Sequence, residues 1–108
     1  MTGPWASLFV AGVFEIVWAV GLKYSEGFSK LGPSALTIAA MGASIWFLAI
    51  AMKQLPLGTA YAIWTGIGAV GTVIAGVILF SESTDALRMA CIALILLGIA
   101  GLKMTSAA

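Results

Sequence analysis

Apolar residues run along this chain in four long blocks separated only by short polar punctuation. The first block extends from about Pro4 to Leu22, the second from about Pro33 to Met52, the third from about Thr59 to Phe80 and the fourth from about Ala86 to Met104. The breaks are equally plain: Lys23 to Gly32 after the first, Lys53-Gln54-Leu55-Pro56-Leu57-Gly58 after the second, and Ser81-Glu82-Ser83-Thr84-Asp85 after the third. Each block is about the 20 residues that a helix needs to cross about 30 Å of hydrocarbon. None alternates apolar and polar residues as a barrel strand would, and inside hydrocarbon each backbone polar group must find its partner within the protein. The blocks are therefore expected to be transmembrane helices, with Pro33 near the start of the second, where its missing N–H costs nothing. The expected fold is all-α and integral to the membrane: one four-helix domain over residues 1–108 with very short loops.

Composition strengthens this picture. Of 108 residues, 62% are hydrophobic and 8% charged, and mean hydropathy is +1.14. A soluble domain of this size has too much surface to cover with so few charges. The 13 glycines suit closely approaching membrane helices. A net charge of +1 without basic clusters argues against nucleic acid, or anionic headgroups, as the main partner. A lone Cys91 excludes an intrachain disulfide framework, and without histidine a His or Cys metal site is not expected. Glu15 interrupts the first apolar block and no basic segment precedes it, so the chain is read as mature from Met1, without a signal peptide.

Four spans put both termini on one side of the membrane. Lys53 and Lys103 then face Lys23, Lys30 and Arg88 across it. Two against three hardly selects an orientation by the positive-inside rule. Either this is noise in a small count, or the chain inserts both ways and opposed copies pair. Many membrane transporters carry an inverted repeat within one chain, and two oppositely inserted copies would supply the same symmetry.

Of the nine Lys, Arg, Asp and Glu side chains, eight lie in the breaks or near a block's end, where they can reach the interface. Glu15 alone is deep, roughly 17 Å into the first span at 1.5 Å per residue. A charge at that depth costs about 2.5–3.5 kcal/mol to insert, so the default reading of Glu15 is functional. The bland alternative is a carboxylic acid kept protonated and hydrogen-bonded between helices. A buried carboxyl can hold a proton or a cation but not both comfortably, which is the chemistry of exchange, and two such groups in a dimer would titrate as a pair.

Ala11, Gly12, Trp18 and Ala19 share the face of Glu15. Gly12 leaves room beside the carboxylate, and Trp18 offers a π-face. In the third span Tyr61, Trp64 and Gly68 fall on one face, and aromatic rings near a carboxylate make a cation cage. Gly66, Gly68 and Gly71 allow close packing, bending, or both. Ser44 is a polar group in the second span that can reach a carboxylate or bond to its own backbone. Cys91, Gly98 and Gly101 read as helix packing, Lys103 as a snorkelling side chain, and Trp46 as core or lipid-facing.

These residues resemble those of the small multidrug resistance transporters, and the resemblance covers essentially the whole chain. It rests on the glutamate in the first of four short spans, on the loop Lys23-Tyr24-Ser25-Glu26-Gly27-Phe28 and on Ala60-Tyr61-Ala62-Ile63-Trp64. Within the family, Phe14-Glu15-Ile16-Val17-Trp18-Ala19 and the run Gly58 to Gly68 look like the guanidinium exporter subtype, since quaternary ammonium exporters usually lack the tryptophan three positions after the glutamate. The resemblance implies a proton-coupled antiporter in a bacterial inner membrane, working as an antiparallel homodimer of dual topology and driven by the proton gradient with no cofactor. It implies Glu15 as the shared site of substrate and protons, Trp18, Tyr61 and Trp64 as pocket aromatics, Ser44 as a serine hydrogen-bonded to the glutamate, and Gly12 as its small neighbour. Guanidinium suits such a site because it is planar, weakly hydrated, able to donate paired hydrogen bonds to a carboxylate and able to stack on an aromatic face. Glycine-rich span three is the expected bending element of an alternating-access cycle. The rival readings are a quaternary ammonium exporter of the same fold, a half-transporter that needs a different partner chain, and a structural or regulatory membrane subunit. An intramembrane enzyme is not expected, because one deep carboxyl without histidine or a paired nucleophile makes no catalytic set.

Overall fold

A computed structural model describes residues 3–105. Four helices follow one another: α1 Gly3–Tyr24, α2 Leu31–Met52, α3 Leu57–Phe80 and α4 Ala86–Thr105. All four are long and apolar enough to cross a membrane, and no strand occurs among the described residues. α1 is the central element, packed most extensively on α2 and next on α3, while α4 rests on α3 and meets α1 and α2 little.

Hydrocarbon gives apolar side chains no reason to leave the lipid, so membrane helices associate where small residues permit close contact. The buried positions obey that rule. In α2 they are Ser34, Thr37, Ala40, Ser44, Leu48 and Ala51, a three-to-four-residue spacing that makes one stripe. That stripe continues into a core of Leu8, Ala11, Leu48, Ala51, Leu55, Ala60 and Ile63, drawn from α1, α2, the break after it and α3. Near the other end of α1, Thr37 sits against Gly21 and donates its hydroxyl to the Pro33 carbonyl at 2.8 Å. In contrast, α4 has no buried residue within its own chain.

The connections are short and internally bonded. Between α1 and α2, buried Ser25 donates its hydroxyl to the Leu22 carbonyl at 2.7 Å and accepts the Phe28 N–H at 3.1 Å. Three consecutive residues there, Glu26, Gly27 and Phe28, have φ of 48°, 74° and 67°. Only Gly27 adopts this left-handed region without cost, so the strained turn is held by the Ser25 bonds and by the Ser29 hydroxyl on the Glu26 carbonyl at 2.9 Å, while the exposed Lys30–Glu26 ion pair at 2.7 Å adds little. At the end of α3, the N–H groups of Ser81 and Glu82 both turn back to the Gly76 carbonyl. The Glu82 carboxylate lies on side-chain-free Gly76 and pairs with Arg88 at 2.8 Å.

Asp85 opens α4. Its Oδ1 accepts the Arg88 N–H at 2.9 Å and its Oδ2 the Ser83 hydroxyl at 2.9 Å, an N-cap arrangement that serves a backbone donor otherwise left without a partner. The Arg88 backbone N–H first, and the Ser83 hydroxyl second, hold the Asp85 carboxyl below the usual aspartate range.

Candidate functional site

Glu15 is carried near the middle of α1, and its carboxyl group lies directly on Gly68 of α3. A Cβ at position 68 would overlap the Glu15 carboxyl carbon and Oε1, so any other residue there requires the Glu15 side chain to move. Oε1 is buried and has no hydrogen-bond partner among the described residues. One turn further along α1, the Trp18 indole Nε1 is also buried without a partner. A carboxyl oxygen and an indole donor thus stand unpaired on the same face of one helix, two unused polar groups where each normally costs free energy.

The remaining site residues expected from the sequence form a second, separate set of contacts. Fully buried Ser44 of α2 donates its hydroxyl across to the Ala11 carbonyl of α1 at 2.7 Å and accepts the Trp64 Nε1–H of α3 at 2.9 Å. One hydroxyl thereby ties three helices together. Its single hydrogen is engaged one helical turn before Glu15, so Ser44 bonds neither to the Glu15 carboxylate nor to its own backbone here. The Tyr61 and Trp64 rings meet at 5.5 Å with a tilt of 53°, and Tyr61 is 54% exposed.

The glycines of α3 each seat a different neighbour. Gly66 receives Ile99 of α4, Gly68 receives Glu15, and Gly71 receives Ile16 of α1. Gly12 of α1 does the reverse: its open side is filled by Ile67, whose Cβ would be 2.9 Å from any side chain there, so that room is not free for a ligand. α3 itself is continuous from Leu57 to Phe80. Sequence reasoning missed the stacked pair Phe14 and Phe47, with centroids 6.0 Å apart and planes at 7°, which joins α1 to α2 next to Glu15. Both are ordinary apolar residues of their spans, and no signal in the chain marks them as partners.

A groove of about 460 Å³ runs between the last turns of α1 and the first of α2, lined by Ile16, Val17, Val20, Tyr24, Pro33 and Leu36. Its walls are apolar, and it begins one residue beyond Glu15. No group of three His, Cys, Asp or Glu side chains able to hold a metal ion occurs among the described residues. The chemistry available is that of one deep carboxyl with unused acceptor capacity beside unpaired and aromatic groups, a place for a proton or a small cation.

Residues 3–95 match the sequence model of the family described as Small Multidrug Resistance protein. The chain belongs to that family. Similar proteins include a guanidinium exporter of Proteus vulgaris, 61% identical over 102 residues that cover 94% of this chain and 98% of the other. Guanidinium exporters of Yersinia pseudotuberculosis and Escherichia coli K12 are each 58% identical over 102 residues, again 94% of this chain and 98% and 97% of theirs. Small Multidrug Resistance proteins are transporters and not enzymes, and family membership together with four spans makes this a multi-pass membrane protein.

Proposed function

We propose that the protein exports guanidinium-type cations in exchange for protons, in a bacterial inner membrane, as an antiparallel pair of identical subunits. The observation that carries this reading is the Glu15 carboxyl seated on Gly68 with a buried oxygen that no other group among the described residues satisfies. Relatives named guanidinium exporters, alike over nearly the full chain, support the choice of cargo.

In this reading Glu15 of each subunit binds either a proton or the cation, and Trp18, Tyr61 and Trp64 supply aromatic faces to a planar cation. A guanidinium donates to the carboxylate in a paired geometry. Ser44 moves its hydrogen from the Ala11 carbonyl to Glu15 when the carboxylate is charged, while Trp64 holds the serine oxygen in place. Two subunits inserted in opposite senses exchange conformations, so the inward-open and outward-open states are one structure seen from two sides. α3 bends at Gly66, Gly68 and Gly71 during that exchange. The driving force is the proton gradient, with no cofactor.

The test is exchange in liposomes that contain only this purified protein. A proton gradient should drive guanidinium uptake with the wild type and not with Glu15→Gln. Transport of tetraalkylammonium without guanidinium would overturn the cargo, and undiminished guanidinium exchange by Glu15→Gln would overturn the mechanism.

A further inference from the structure

The two ends of the bundle carry charge differently. Where α1 ends and α4 begins, Lys30 pairs with Glu26, Arg88 pairs with Glu82, and Asp85 caps α4, so three basic side chains counting Lys23 meet three acidic ones. At the opposite end Lys53 and Lys103 stand without an Asp or Glu among the described residues. The small net charge of the whole chain hides this asymmetry.

Lys103 lies in the last turn of α4 with its Nζ 4.9 Å from the centroid of the Trp5 ring on α1. Between these helices and α3 is a groove of about 170 Å³, walled by Trp5, Phe9, Ile63, Ile67 and Ile99, with Lys103 the one charged lining residue among the described residues. A single cation at the membrane boundary above an apolar channel that runs toward the bilayer centre complements one kind of molecule, an anionic amphiphile. Trp5 fits the same level, because tryptophan favours the headgroup boundary, with its apolar ring facing the tails and its N–H facing water.

We propose that this groove binds an anionic phospholipid, with the phosphate at Lys103 and part of an acyl chain between α1, α3 and α4. A zwitterionic lipid brings its own amine to the phosphate and gains less from Lys103, whereas an anionic lipid has no such internal partner. Lys53 shares the end but not the groove, so it attracts anionic lipid only diffusely. The site is distinct from Glu15 and holds whatever the cargo proves to be.

The experiment uses the purified full-length protein in mild detergent with equal amounts of phosphatidylglycerol and phosphatidylethanolamine, and native mass spectrometry counts the lipids retained. Wild type should retain phosphatidylglycerol over phosphatidylethanolamine by about fivefold, the ratio one basic side chain contributes near an anionic surface. Lys103→Gln should bring the ratio to about one, while Lys103→Arg and Lys53→Gln keep it. Excess glycerol phosphate, the headgroup without tails, should displace nothing. Equal retention of the two lipids by the wild type, an unchanged preference in Lys103→Gln, or displacement by glycerol phosphate would each overturn the proposal.

Discussion

Gly68 and Ser44 each make a contact that depends on the residue type at that position. A Cβ at position 68 collides with the Glu15 carboxyl, so Gly68→Ala must displace the carboxyl or part α1 from α3. The carboxyl is the free end of a flexible side chain and can swing aside, so the variant should fold; if Glu15 binds the cation as proposed, moving the carboxyl from its seat should lower guanidinium affinity, measured by calorimetry, by about tenfold, or about 1.4 kcal/mol. Gly58→Ala, where nothing lies within 4 Å, should leave affinity unchanged. Ser44→Ala strands the Trp64 indole N–H in the bundle and should lower unfolding stability by about 1–3 kcal/mol; Trp64→Phe removes that donor together with its need and should cost only about 1 kcal/mol. Denaturant titration in bicelles separates the two. The depth of Glu15 was legible from its distance along the first span. What lies on it was not, because helical periodicity assigns a residue to a face but leaves open how two helices are rotated against each other. Ser44 makes the point sharply: a carboxylate and its own backbone were both reasonable partners, and the acceptor is a carbonyl on another helix.

The elements themselves were the most legible feature, since hydrocarbon leaves a long apolar run no alternative to a helix. The turns between them were less so. Gly27 announces a left-handed residue, but Glu26 and Phe28 adopt the same region in a turn closed by buried Ser25, whose hydroxyl bonds to both flanks, and by the Ser29 hydroxyl on the Glu26 carbonyl. Asp85 yields a prediction about pH. Its folded pKa is depressed, chiefly by the Arg88 backbone N–H, so its stabilisation of α4 is present above the unfolded aspartate pKa of about 3.9 and is lost as pH falls below it. Hydrogen exchange should show the Arg88 amide, corrected for intrinsic rate, losing protection as the pH is lowered through that range. Asp85→Asn should abolish the pH step, because asparagine can cap the helix without titrating.

At the scale of the molecule, the near balance of basic residues makes orientation adjustable. Gln54→Lys and Leu57→Lys combined with Lys30→Gln set four basic side chains at one end against two at the other; Lys53→Gln with Gly32→Lys sets one against four. Dual topology predicts that each biased variant is inactive alone in a cellular guanidinium-resistance assay and that co-expressing the two restores resistance. Family and helix count were legible in the sequence, whereas the loose attachment of α4 was not, because its composition is that of any other span. Having no buried residue in its own chain, α4 is stabilised by whatever surrounds it. If, as proposed, a second copy covers it, its docking becomes a property of surface density: diluting the protein with lipid at constant temperature should loosen α4 progressively while α1, α2 and α3 hold. On that reading a newly inserted, solitary copy displays a detachable terminal helix to proteolysis, and its lifetime in the cell should lengthen with expression level.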